Sequence, residues 1–197
     1  MPPQLGIFGG TFDPPHVGHV TAAIRARDQL AADILHVVVA HDPWQKSGRR
    51  SVTPSHHRLA MARLAFDGLS GIEVSNAELE RDGPSYMIDT VMELERPGTE
   101  TVLVMGPATA AGLSTWHRAD ELAQRVTIAV IQPTGVPRVR LGGWRATAVF
   151  MAPVAASATW VRELLEGSGG PETAAALDRL VPRAVMGYIA DHKLYSA

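Results

Sequence analysis

The residues best suited to chemistry stand together ten positions into the chain, in Gly9-Gly10-Thr11-Phe12-Asp13-Pro14-Pro15-His16-Val17-Gly18-His19. Two glycines leave a short apolar run, Leu5-Gly6-Ile7-Phe8, and let the backbone approach a ligand closely. Two imidazoles three residues apart at the opening of a helix share one face, beside that helix's unpaired N–H groups. This is a phosphate cradle with two donors added. A metal reading of the pair finds little support, because the chain has no Cys and no third ligand stands close in sequence. The pattern points to nucleotide phosphates.

A second constellation lies near the C-terminus, in Ser157-Ala158-Thr159-Trp160-Val161-Arg162. Ser157 suits an N-cap, and Thr159 and Arg162 then project near the first helical turn. An Arg at that place can reach a phosphate whose other oxygens meet the helix N–H groups. Ser at a helix start is by itself ordinary capping. Beside the first motif, it is expected to face the same triphosphate from the other side.

These motifs need elements to position them. Apolar runs at 5–8, Ile34–His41, Ile72–Ser75, Thr101–Met105, Val126–Ile131 and Thr147–Met151 read as strands. Helical patterns fall between and after them, at Val20–Leu30, Pro54–Phe66, Ser85–Leu94, Ser157–Leu165 and Arg183–Ile189. In the first of these, Val20, Ile24 and Leu30 supply the apolar face, with alanines among them. Such alternation implies an α/β fold, a mainly parallel sheet with helices on both faces. Ligands then sit at the carboxyl ends of the strands. The stretch 132–145 reads as a loop.

The bulk properties narrow the class. A chain of 197 residues, 46% hydrophobic and 19% charged, suits one globular domain over 1–197. A formal net charge of −2 argues against broad nucleic-acid binding. Zero cysteines remove disulfides and thiolate catalysis. No signal-peptide pattern and no membrane-length apolar run is present, so a cytoplasmic enzyme is the expectation. Self-association stays open.

Gly-Gly-Thr-Phe-Asp-Pro-x-His-x-Gly-His paired with Ser-x-Thr-x-Val-Arg resembles the adenylyltransferases of the nucleotidyltransferase superfamily. Ser85-Tyr86-Met87-Ile88-Asp89-Thr90, Trp116 followed by Asp120-Glu121-Leu122, and Tyr188-Ile189-x-x-His192-x-Leu194-Tyr195 resemble the bacterial nicotinate-nucleotide adenylyltransferase family. Asp42-Pro43-Trp44-Gln45-Lys46 with Arg58 and Met61 is similar to its actinobacterial members. The likeness covers almost the whole length, in the same order.

The resemblance implies a Rossmann-like, doubly wound fold and a reaction of ATP with nicotinate mononucleotide. The acceptor's phosphate attacks the α-phosphorus, pyrophosphate leaves, and nicotinate adenine dinucleotide forms. Mg²⁺ is expected to ride on the ATP phosphates rather than in a protein cage. His16, His19 and Lys46 are the implied catalytic residues. Gly9, Gly10, Thr11, Phe12, Gly106, Ser157, Thr159 and Arg162 join the histidines around ATP. Thr11, Lys46, Ser85, Tyr86 and Trp116 are implied for the acceptor, Trp116 stacking on its pyridine ring. A solvated basic loop remains open for Lys46, a structural role for Arg58, and a core position for Trp116.

Three departures stand out. The family's Gly-x-Asp after the fourth strand, whose acid bonds the adenosine ribose, is Gly106-Pro107-Ala108. Its Arg-Pro-Gly is Gln132-Pro133-Thr134, and its Thr after Ser-Tyr is Met87. Another phosphorylated acceptor, another nucleotide donor, or a weakly active nucleotide-binding paralogue are therefore the alternatives.

Overall fold

The computed structural model describes residues 3–42, 52–81, 83–167 and 169–196. Its strands are β1 (Gln4–Gly10), β2 (Ile34–Val39), β3 (Ile72–Ser75), β4 (Glu100–Met105), β5 (Val126–Gln132) and β6 (Ala146–Phe150). They pair in parallel in the order β3-β2-β1-β4-β5-β6. The chain starts in the middle, runs out to one edge and returns to build the other. The direction switches between β1 and β4, which is where such sheets open a ligand crevice.

The helices are α1 (Val17–Leu30), α2 (Ser55–Phe66), α3 (Ala77–Glu80), α4 (Met87–Leu94), α5 (Pro107–Ala110), α6 (Ala119–Arg125), α7 (Ala158–Glu166), α8 (Pro171–Leu180) and α9 (Arg183–Asp191). The period of two along the strands sorts them into two layers. Phe8, Leu35, Val37, Val102 and Val104 point to the side of α1, α2 and α7 to α9. Ile7, Val38, Leu103, Ile128 and Val130 point to the side of α4 to α6. No helix among the described residues is long and apolar enough to cross a membrane.

Several local outcomes differ from the sequence reading, two of them in the elements that flank the β1 turn. The buried residues of α1 are Ala22, Ala23 and Ala26, while Val20, Ile24 and Leu30 are only partly buried around them. Small side chains face the sheet, and the larger ones flank it. The second strand ends at Val39 rather than His41, because the carbonyls of Ala40 and His41 turn to the Arg58 guanidinium instead of a neighbouring strand.

Candidate active site

The turn after β1 brings its residues together through one strained position. Phe12 takes a left-handed φ of 49°, a region costly for a side chain with a Cβ. Its ring is 1% exposed and packs edge-on against Phe8, Phe66 and His19. Only main-chain atoms of Phe12 therefore remain for a nucleotide. Gly10 is required beside it, since a Cβ there would lie 2.7 Å from the Phe12 ring.

His16 is the N-cap of α1. Its Nδ1 accepts from the Gly18 amide at 3.2 Å, and its own amide donates to Nδ1 of His19 at 3.2 Å. The rings lie 3.7 Å apart. The two histidines thus do cap the helix, each through Nδ1. An Nδ1 that accepts leaves the ring proton on Nε2 in the neutral form, so capping and donation to a ligand use different atoms. Burial pushes the His16 pKa down to about 4, which keeps it neutral near pH 7.

The α7 N-terminus sits against this turn. A Cβ on Gly18 would be 3.8 Å from the Cβ of Ala156. Ser157 is the N-cap, its Oγ accepting from the Trp160 amide at 3.1 Å. Arg162 is 8% exposed, and it donates through Nη1 to the Asp13 carbonyl and through Nη2 to Thr159 Oγ1. In this arrangement Arg162 and Thr159 bind the first motif to the second.

Arg58 holds the other side of the turn. It is 1% exposed and donates to four carbonyls: Thr53 at 2.7 Å, Ala40 at 2.6 Å, and Thr11 and His41 at 3.0 Å. This gives Arg58 the structural role, joining the exits of β1 and β2 to the start of α2.

A cavity of about 190 Å³ opens on the opposite layer of the crevice. Gly9, Gly10 and Thr11 line it, so the β1 turn belongs both to the helix N-termini and to this pocket. Ser85, Tyr86 and Trp116 line it too, with Trp116 only partly buried against the core. Ser85 Oγ accepts from the amides of His41 and Asp42 at 3.0 and 3.2 Å, fixing the approach to α4 on the exit of β2. Met87 opens α4 and fills the space beside Gly9, where a Cβ would meet its Cε at 2.7 Å.

Two pocket residues have no motif to announce them. His117 stacks on Tyr86 with ring centroids 4.1 Å apart, and only its adjacency to Trp116 points to it. Glu78, 4% exposed, accepts from the Thr90 hydroxyl at 2.9 Å. It lies on the one-turn helix α3, which is too short for a periodic signal.

The departures acquire structural form. Gly106 caps α5, with Pro107 as the first helical residue. Gln132 is 3% exposed, and its amide donates to the Val136 and Pro137 carbonyls while its Oε1 accepts from the Val139 amide. It organises the loop after β5. Lys46, with Gln45, lies outside the described residues. Among the described residues, no group of three or more His, Cys, Asp or Glu could hold a metal ion.

Two phosphate-suited helix N-termini at the switch point of a 3-2-1-4-5-6 sheet, with an aromatic pocket beside them, define a nucleotidyltransferase of the cytidylyltransferase-like class, whose family profile matches residues 7–164. A probable nicotinate-nucleotide adenylyltransferase of Methylibium petroleiphilum is 38% identical over 98% of this chain and 92% of its own. One from Bacillus pumilus is 33% identical over 98% and 99%. The chain belongs to the nicotinate-nucleotide adenylyltransferase family. The fold matches Plasmodium falciparum nicotinic acid mononucleotide adenylyltransferase complexed with NaAD, with a TM-score of 0.77 at 17% identity, covering 98% and 97% of the two chains. The same enzyme complexed with APC gives a TM-score of 0.75 at 17% identity, with the same coverage.

Proposed function

We propose that this chain transfers the adenylyl group of ATP to nicotinate mononucleotide in NAD synthesis. An oxygen of the acceptor's phosphate forms a bond to the α-phosphorus as the bond to the β-phosphate oxygen breaks. Pyrophosphate carries away the electron pair, and nicotinate adenine dinucleotide remains. The attacking oxygen is already anionic, so no strong base is required. Rate then comes from alignment and from neutralising charge on the triphosphate.

The observation that carries the reading is the β1 turn, shared by two helix N-termini on one side and an aromatic pocket on the other. His16 and His19, through Nε2–H, are assigned to the ATP phosphates, along with the N–H groups of α1 and α7. Thr159 and Arg162 hold that arrangement and border the phosphates. Gly9, Gly10, Thr11 and the main chain of Phe12 form the floor, and Gly106 borders the adenosine. Trp116, Tyr86 and Ser85 are assigned to the pyridine nucleotide, and Lys46 to a substrate phosphate. The N–H-rich donor set suits a triphosphate. Mg²⁺ carried on that substrate would screen its charge. The cytosol, which holds both substrates, is the assigned compartment.

The bare start of α5 favours keeping a second donor in view, because no carboxylate follows Gly106 there. The test is pyrophosphate release with nicotinate mononucleotide, its amide analogue and phosphopantetheine as acceptors, each with ATP and with a second nucleoside triphosphate. Turnover greatest with ATP and nicotinate mononucleotide supports the reading. Turnover confined to another pair would replace it.

A further inference from the structure

The C-terminal tail turns back onto the candidate phosphate site. After α9, Lys193 takes a left-handed φ of 52°, and the amides of Lys193 and Leu194 donate to the Ala190 and Ile189 carbonyls at 3.2 and 3.0 Å. This helix ending is usually built on glycine. Tyr195 is left-handed again, at φ 59°. Two such residues within three positions persist only where the surroundings fix them.

Those surroundings are the β1 turn. Leu194 and Tyr195 pack against the core, and the Tyr195 hydroxyl donates to Asp13 Oδ1 at 2.7 Å across 182 positions. Asp13 is 2% exposed, and its carbonyl takes the Arg162 guanidinium. The Thr53 side chain lies near enough to act on the phenol, and the Thr53 carbonyl takes Arg58, which holds Thr11 in turn. The tail and α7 therefore meet at Asp13, three residues before His16, and the start of α2 holds the same turn at Thr11. Burial first, and then the Asp13 carboxylate, push the phenol well above its usual range, so it stays a donor.

We propose that Tyr195 is a positioning residue, through which the C-terminal tail latches Asp13 and so fixes the turn that aims His16 and His19. A phenol given to a buried carboxylate is a charge-assisted bond, strongest where water is excluded. Without it the turn keeps its ties to Arg162 and Arg58 but loses the one to the tail. Small misplacement of aligned groups is felt in kcat far more than in ground-state binding. The kinetic part of this proposal rests on the adenylyl-transfer reading; the structural part does not.

The test is Tyr195→Phe beside Tyr188→Phe. Tyr188 also lies on the tail side, and its hydroxyl meets His57 Nδ1 at 2.9 Å, away from Asp13. Both variants are expected to melt slightly earlier. Only Tyr195→Phe should lower kcat, about tenfold, with the acceptor KM within about twofold. It should also speed amide exchange in residues 9–19 without substrate. Thr53→Val, which removes the hydroxyl nearest the phenol on the α2 side and keeps the Tyr195 ring, should show the same split more weakly and stands in if Tyr195→Phe does not fold. A wild type that transfers no adenylyl group defeats the reaction, yet exchange still decides the latch. Unchanged exchange in Tyr195→Phe, or an equal loss of kcat in Tyr188→Phe, overturns it.

Discussion

His16 gives its main-chain amide to Nδ1 of His19, and the two rings lie 3.7 Å apart. The pair is therefore a unit: His19 is oriented by the backbone of His16, whose own ring is oriented by Gly18. A helix cap ordinarily uses a short polar side chain. Imidazole does it here with one ring nitrogen, Nδ1.

His19→Ala should separate the two roles. Loss of a donor acting on the transition state is expected to lower kcat by roughly 10²-fold or more. Loss of the cap contact should cost stability of about 1 kcal/mol. Steady-state kinetics and urea unfolding on the same preparation read both. A kcat within a few-fold of wild type would remove His19 from the chemistry and leave it a cap.

His16 sets a pH dependence whose direction follows from burial. Its folded pKa is about 4 against 6.5 in its unperturbed state, so the unfolded chain takes up the proton first. Its contribution is complete above about pH 6.5 and is lost as pH falls toward 4, by at most about 3 kcal/mol. His16→Asn keeps an N-cap acceptor and removes the titration. Burial also lowers the His36 pKa, a background shared by both proteins. Urea midpoints from pH 7 to 4 should fall more steeply in the wild type than in His16→Asn. Parallel profiles would contradict the assignment.

The sheet was legible because its strands carry dense β-branched runs. Leu35, Val37 and Val39 on one face and Val38 on the other mark a strand buried on both sides. The two turn-and-helix motifs were legible because a turn and the helix after it are contiguous in sequence. What escaped is short or distant. α6 commits one fully buried residue, Leu122, and α8 only Leu177 and Leu180, too few to make a period visible. Tyr195 and Asp13 meet across 182 positions, and no spacing rule joins them. Arg58 reads alike from sequence whether it meets solvent, phosphate or carbonyls; only the convergence of three loops decides.

Arg58→Met tests that convergence. The variant keeps much of the side-chain volume but leaves the carbonyls of Thr11, Ala40, His41 and Thr53 without this donor. Orphaned buried acceptors cost about 1–3 kcal/mol each where water cannot replace the donor. With some water entering, the expected loss is about 3 kcal/mol or more. Urea unfolding measures it, and a loss below about 1 kcal/mol would show that the loops hold one another without the guanidinium.

The adenosine side is tested by Ala108→Asp. Gly106 caps α5 and Pro107 stands at its first position, where its fixed φ suits the helix. Residue 108 is thus in the first turn and exposed, and a carboxylate there is favoured by the helix N-terminus. A ribose hydroxyl donating to it should contribute on the order of 1.5–3 kcal/mol, which is roughly tenfold or more in ATP affinity. The acceptor constants should move less than about twofold, because the pocket around Trp116 and Tyr86 is built from other side chains. Isothermal titration with a non-hydrolysable ATP analogue, together with the acceptor KM, makes the comparison. Unchanged or weaker ATP binding in a folded variant would mean that this chain holds the ribose with other groups, and the position after Pro107 would lose its link to the nucleotide.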